Sequence, residues 1–189
     1  MTLVIVSEHG YAKNNPAFPI LVFGMPLMAA ADNFDYTYAE GAFTSLSSSG
    51  NNSSASGATV DGSFAIDPNW HVLGGIEHVS GENELDVGAG YNTALADNVD
   101  LFIEGEFLST DVRQPSTDTG WGANGGLRFQ LAPKFELDGL VSHTDVSSRT
   151  ENTIGVRGLL EIDKNWRLFA SYSNNSDFDT FMIGVRYDF

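Results

Sequence analysis

The residues of this chain whose types could run hydrolytic chemistry are His71, His78 and His143, with Ser142 and Asp145 beside the last. A serine next to a histidine suggests a nucleophile and its base, which must lie within hydrogen-bond reach of each other. Ser142 and His143 are neighbours in a segment of alternating character, and neighbours in a strand point to opposite faces. They do not form such a pair. His78 and His143 fall near strand ends, where an interfacial histidine is unremarkable. No zinc-ligand spacing, glycine-rich phosphate cradle or Asp-x-Asp calcium loop occurs, and there is no cysteine. The sequence therefore calls for no metal and no cofactor. A hydrolase is the distant reading, and no residue receives a catalytic role.

The larger chemically active set is ionic. Glu40, Asp61, Glu77, Asp86, Asp100, Glu104, Glu106, Glu136, Asp138 and Glu161 share the polar positions of alternating segments with Arg128, Arg157, Arg167 and Arg186. In the core of a soluble sandwich these charges would be prohibitive. Inside a closed barrel they pair with one another and with water. A small barrel is nearly filled by its own side chains, so the expected result is a packed salt-bridge network. The alternative is a narrow cation path, because the inward acids outnumber the inward arginines.

Strict alternation is what positions these charges. In the final segment, Phe181, Ile183, Val185, Tyr187 and Phe189 occupy one face, and Thr180, Gly184, Arg186 and Asp188 the other. Met182 is the one apolar exception. The length fits a tilted membrane-spanning strand of roughly 9–11 residues. Aromatics at both ends fit the two interfacial girdles of a transmembrane barrel. Upstream, Phe34 to Thr44 is turned with Tyr36, Tyr38 and Glu40 inward, because a glutamate facing lipid is costly. Ala58 to Asp67 sets Val60, Phe64 and Ile66 against Asp61 and Ser63, and Trp70 to Val79 returns with Trp70, Val72 and Ile76 outward. Glu84 to Asn92, Val99 to Leu108, Trp121 to Leu131, Phe135 to Thr144, Glu151 to Ile162 and Trp166 to Asn174 repeat the pattern. Ten strands result, and no segment carries helical periodicity.

The connections divide into two groups. Short turns fall at Asp67–Asn69, Ala94–Asn98, Ala132–Lys134 and Asp163–Asn165. More variable polar loops are expected elsewhere, the longest at Ser45–Gly57 and Ser109–Gly120. Short turns at one end and longer loops at the other are the outer-membrane arrangement. The pattern Ile-Asp-x-Asn-Trp occurs at Ile66–Trp70 and again at Ile162–Trp166, with Leu131–Phe135 a looser third copy. Each copy brings an aromatic onto the apolar face just after a turn, at the level of an inner girdle.

Composition agrees with this picture. Twenty-five acids against nine bases give a formal charge of −16, which excludes a phosphate-binding basic patch and hence nucleic acid as a partner. The mean hydropathy of −0.11 looks soluble, but alternating lipid-facing and lumen-facing residues cancel in any window. The run from Phe18 to Met28, followed by Ala29-Ala30-Ala31 and Asp32, is too short to span a bilayer. It fits a secretory signal peptide removed after Ala31, with a base-poor leading region, leaving residues 32–189 as the barrel domain.

Tyr36-Thr37-Tyr38-Ala39-Glu40-Gly41, Pro68-Asn69-Trp70-His71-Val72-Leu73-Gly74-Gly75, Val87-Gly88-Ala89-Gly90-Tyr91-Asn92 and the Phe-ended last strand resemble the small outer-membrane β-barrel proteins of Gram-negative bacteria. The group most similar is a ten-stranded one once described as a secreted quorum-sensing factor. The resemblance spans essentially Asn33 to Phe189. It implies periplasmic transit with periplasmic chaperones, and insertion into outer-membrane lipid by the assembly machinery that reads a terminal aromatic strand. That strand's signal would be Phe181, Ile183, Val185, Tyr187 and Phe189. Membrane girdles are expected at Trp70, Tyr91, Trp121, Phe135, Trp166, Tyr172, Tyr187 and Phe189. The expected function is a structural or surface-interaction role with a filled lumen.

Overall fold

A computed structural model describes residues 34–48, 53–112, 116–147 and 149–189. The expected leader, residues 1–31, lies outside them. Ten strands follow one another: β1 (Tyr38–Ser48), β2 (Ser54–Ala65), β3 (Trp70–Val79), β4 (Glu82–Ala96), β5 (Val99–Val112), β6 (Ser116–Ala132), β7 (Phe135–Val146), β8 (Arg149–Asp163), β9 (Trp166–Asn174) and β10 (Phe178–Asp188). Each pairs antiparallel with its chain neighbours, and β10 pairs with β1 from Tyr38↔Asp188 to Ser48↔Phe178. This is the closed antiparallel up-and-down barrel that the alternation predicts. Closure removes the two edges that an open sheet would present.

The two faces fall as the periodicity requires. Val60, Val72, Ile76, Val87, Ile103, Val141, Ile154, Val156, Ile183 and Val185 point outward and are all more than 40% exposed. Charged residues on the alternate positions point inward, and Glu40, Glu77, Asp86, Arg128, Glu136, Asp138 and Arg186 are buried there. An exterior of exposed β-branched residues, with charges enclosed, suits hydrocarbon outside and a polar lumen inside.

The Ile-Asp-x-Asn-Trp repeat has the same three-dimensional meaning in its two full copies. Asn69 Nδ2 donates to Asn92 O while Asn92 N donates back to Asn69 O. Asn165 Nδ2 donates to Asp188 O, and Asp188 N donates to Asn165 O. The turn asparagine thus fastens the hairpin corner to the strand beside it. Directly above, Trp70 packs edge-on against Tyr91 and Trp166 against Tyr187, with ring centroids 5.1 and 5.0 Å apart.

Three expectations need correction. The first strand begins at Tyr38, not Phe34, because its last rungs are Tyr38↔Asp188 and Tyr38↔Ser63 and no ladder partner lies beyond them. The polar stretches read as long loops are largely strand: β1 and β2 extend to Ser48 and from Ser54, and β5 and β6 to Val112 and from Ser116. Residues 49–52 and 113–115 of those stretches lie outside the described residues. A sheet rung needs backbone partners rather than apolar side chains, so Ser- and Thr-rich strands continue pairing in water beyond the apolar band. Finally, connections are short at both ends. Ser80-Gly81, for example, is a two-residue turn with both φ angles positive, 53° and 84°, as a tight hairpin requires. The expected separation of turn lengths is therefore absent from the connections that are described. The 17 residues of β6, at about 3.3 Å each and tilted as barrel strands are, rise roughly 40 Å, beyond an apolar band of about 25 Å.

Candidate functional site: the lumen and its inner mouth

The end of the barrel carrying Phe34 and Phe189 is called the inner end. In its half of the lumen, four arginines and four carboxylates alternate in one chain of contacts. Arg167 Nε lies 2.7 Å from Asp188 Oδ2, and its Nη1 donates to Glu136 Oε2 at 2.8 Å. Arg128 Nε donates to Glu136 Oε1 at 2.7 Å and lies 3.9 Å from Asp138 Oδ1. Arg157 joins Asp138 Oδ2 at 3.4 Å to Glu40 Oε1 at 2.9 Å, and Arg186 Nε closes the series on Glu40 Oε2 at 2.9 Å. Arg128 and Arg186 are only 4% and 1% exposed. Guanidinium forks bridging carboxylates on different strands suit such dry positions better than lysine ammonium groups would.

The inner mouth is filled by residues that precede the wall. Phe34 and Tyr36 are buried inside the barrel. Arg128 lies over both rings, 5.0 and 4.6 Å from their centroids, and its Nη1 donates to Asp35 O at 3.1 Å. Tyr36 stacks on His71 at 4.8 Å and donates from its hydroxyl to Asp100 Oδ2 at 3.4 Å. His71 in turn meets Glu104 Oε1 at 3.1 Å. Gly90 makes this possible: a side chain there would collide with His71 and with Glu104.

The opposite wall carries acids and His71 but no lysine or arginine. No lysine or arginine occurs between Lys13 and Arg113, so β1–β5 contain none. Glu77 accepts from Thr59 Oγ1, Glu84 from Thr110 Oγ1, and Glu106 from Asn124 Nδ2. Asp61 and Asp86 both lean over Gly75, where a methyl group would meet each carboxylate. A cavity of about 50 Å³ separates the two walls, bordered by Tyr36, Tyr38, Glu104, Asn124, Arg128 and Arg157. That is room for about one or two waters.

Of the residues expected in the lumen, Glu40, Asp61, Asp86, Asp100, Glu104, Glu106, Arg128, Glu136, Asp138, Arg157, Arg167 and Arg186 lie inside. Glu161 instead sits at the inner rim, 3.8 Å from Lys134. Trp70, Phe135, Trp166 and Phe189 face outward near the inner end, Trp121 and Tyr172 near the other. Tyr91 and Tyr187 are half-buried beneath their neighbouring rings. Phe181, Ile183 and Val185 are exposed on the same outward face of β10. The histidines do not converge on a serine. His78 pairs with Asn83 at 2.7 Å, and His143 with Asn152 at 2.8 Å.

Sequence reasoning missed the aromatic plug, the place of His71, and an apolar part of the interior. Leu159, Phe169 and Met182 form one inward cluster, while Leu46–Val79 and Leu108–Val146 form two more. Their signal was present as breaks in alternation, of which Met182 was one. Gly184 leaves the space that the Phe169 ring fills.

The chain matches no protein-family model and no curated protein sequence. Its fold is similar to several solved structures. The KdgM porin in complex with disordered oligogalacturonate is 14% identical, covering 80% of this chain and 99% of that one, with a TM-score of 0.53. An outer membrane channel from Pseudomonas putida F1 is 7% identical, covering 86% and 100%, with a TM-score of 0.54. The NanC porin is 11% identical, covering 81% and 100%, with a TM-score of 0.50. The chain has the architecture of an outer-membrane β-barrel.

Proposed function

We propose that this protein is an integral barrel of a Gram-negative outer membrane whose lumen is closed by its own side chains, serving a structural or surface-interaction role rather than transport. The observation that carries this reading is the alternating arginine–carboxylate chain, capped at the inner mouth by Phe34 and Tyr36. The cavity between the walls, about 50 Å³ and bordered by Tyr36, Tyr38 and Arg157, supports an interior largely occupied by side chains. Breaking such a chain to admit solute would strand buried charges. The lumen also suits an acidic oligosaccharide poorly, because the open wall carries the same sign of charge. We place the chain beside the ten-stranded group once described as a secreted quorum-sensing factor, on the strand count and the segments that resemble it. Periplasmic chaperones and the outer-membrane assembly machinery are the partners this reading requires.

The second reading, a narrow cation-preferring channel, is favoured by the wall of β1–β5, which is rich in acids and has no lysine or arginine. Reconstitution of the folded chain into planar bilayers separates the two. A silent bilayer containing demonstrably inserted barrel is expected. Discrete conductance steps from the wild-type chain would sink the closed reading.

A further inference from the structure

We propose that Phe34–Tyr36 is a displaceable gate, whose withdrawal from the inner mouth opens the acid-lined β1–β5 side of the lumen to cations. This rests on the closed, membrane-spanning barrel proposed above and goes beyond it, since it gives a closed protein an open state.

The segment is not part of the wall. The last rungs of β1 are Tyr38↔Asp188 and Tyr38↔Ser63. Thr37 is tied back by Phe189 N donating to its carbonyl and Ala65 N to its hydroxyl, each at 3.1 Å. Phe34, Asp35 and Tyr36 can therefore leave without breaking a rung of the closed ladder.

What holds the segment is also exchangeable. Its polar ties are the bond from Arg128 to Asp35 O, the local bond from Thr37 N to Asp35 Oδ1, and the Tyr36–Asp100 contact, at 3.4 Å near the long limit of a hydrogen bond. The remainder is ring stacking on Arg128 and His71. When the rings leave, Arg128 keeps Glu136 and His71 keeps Glu104. Neither Arg128 nor His71 loses its carboxylate on opening, which would otherwise forbid it, and Asp100, which gives up the Tyr36 hydroxyl, is uncovered to water by the same movement.

Beyond the Tyr36 ring lies the cavity, bordered by Glu104. From there Glu106, then Asp86 with Asp61, then Glu84 with Glu77, step along β2–β5 toward the outer end. Among the described residues, Leu46–Val79 and Leu108–Val146 form two separate apolar clusters toward the outer end. A path lined by carboxylates admits cations and repels anions.

The test uses the full chain, refolded and inserted into planar bilayers under a KCl gradient, with heat-modifiable gel migration confirming that each variant is folded. Phe34→Ala/Tyr36→Ala should give frequent conducting events in bilayers where wild type is silent, with reversal potentials favouring K⁺. Tyr36→Phe, which keeps the ring and removes the hydroxyl with its Asp100 bond, should lie between them and guards against loss of folding in the double variant. Adding Glu104→Gln/Glu106→Gln should move the reversal potential toward zero. A folded double variant as silent as wild type overturns the gate, and so do openings that favour Cl⁻. If the wild-type chain itself conducts, the closed reading fails. The gate then stands on a rise in open frequency in Tyr36→Phe and the double variant, and falls without one.

Discussion

Arg157 on β8 donates from Nη1 to Glu40 Oε1 on β1 at 2.9 Å, across 117 positions of sequence. In the barrel, β9 and β10 stand between these two strands. The contact therefore ties the seam where the chain closes on itself to a strand three places round. Glu40 simultaneously receives Arg186 from β10, so one carboxylate on β1 holds two strands of the C-terminal half.

This arrangement ranks two substitutions. Glu40→Gln leaves Arg157 with Asp138 alone and takes the carboxylate away from Arg186, which is 1% exposed. Arg157→Met leaves Glu40 with Arg186, and Asp138 with Arg128. Breaking a buried pair by removing one partner costs about 3–5 kcal/mol. Glu40→Gln should lie at or above that range and Arg157→Met below it. Urea unfolding in detergent or lipid, read by gel migration, checks the order; equal midpoints would show that the chain of charges is not cooperative.

The fate of particular residues shows what the sequence carried. The face of every strand could be read because a side-chain period of two leaves little freedom once one charged residue is placed. Glu40 alone settled the orientation of β1. The ends could not be read in this way. Tyr36 continues the alternation of Tyr38 and Glu40, yet it leaves the wall because no rung exists for it, and rung availability depends on the register between strands distant in sequence. The same register decides that Ser45–Ser48 remain strand. The partners of each inward arginine were equally hidden, since Arg167 meets Glu136 two strands away rather than a neighbour in sequence. His71, one of three histidines whose type could serve hydrolysis, is a lumen residue seated in the space that Gly90 leaves.

The repeated hairpin corner gives a second measurable consequence. Asn69 and Asn165 each fasten a turn to the adjoining strand through their side-chain amide, at 2.8 and 2.6 Å. Losing one such bond should cost about 1 kcal/mol, or up to about 3 where the orphaned carbonyl is shielded from water. Asn69→Ala and Asn165→Ala sit on different hairpins and share no partner, so their effects should add within about 0.5 kcal/mol. A double variant no less stable than either single would contradict the shared role.

Ile183 and Ile162 are each 53% exposed on the barrel exterior. In water an arginine at either site would have similar, small effects. In a bilayer their depths differ: Ile183 lies between Phe181 and Tyr187 on β10, whereas Ile162 adjoins the turn at Asp163. Ile183→Arg should destabilise by about 2–4 kcal/mol and Ile162→Arg by about 0–1. Equal costs in phospholipid vesicles would remove the support for a membrane band centred on β10.

Phe189 packs edge-on against Tyr187, with centroids 5.1 Å apart, and is itself 72% exposed. Its backbone nitrogen donates to Thr37 O, a bond that an alanine keeps. Phe189→Ala should therefore change the stability of the refolded barrel little, because so exposed a ring buries little surface of its own. If the terminal aromatic strand is what the assembly machinery reads, the same substitution should sharply lower the amount of protein reaching the outer membrane in cells. The two measurements must diverge. Wild-type outer-membrane levels would remove the recognition role, and an equal loss of stability in vitro would make it a folding residue instead.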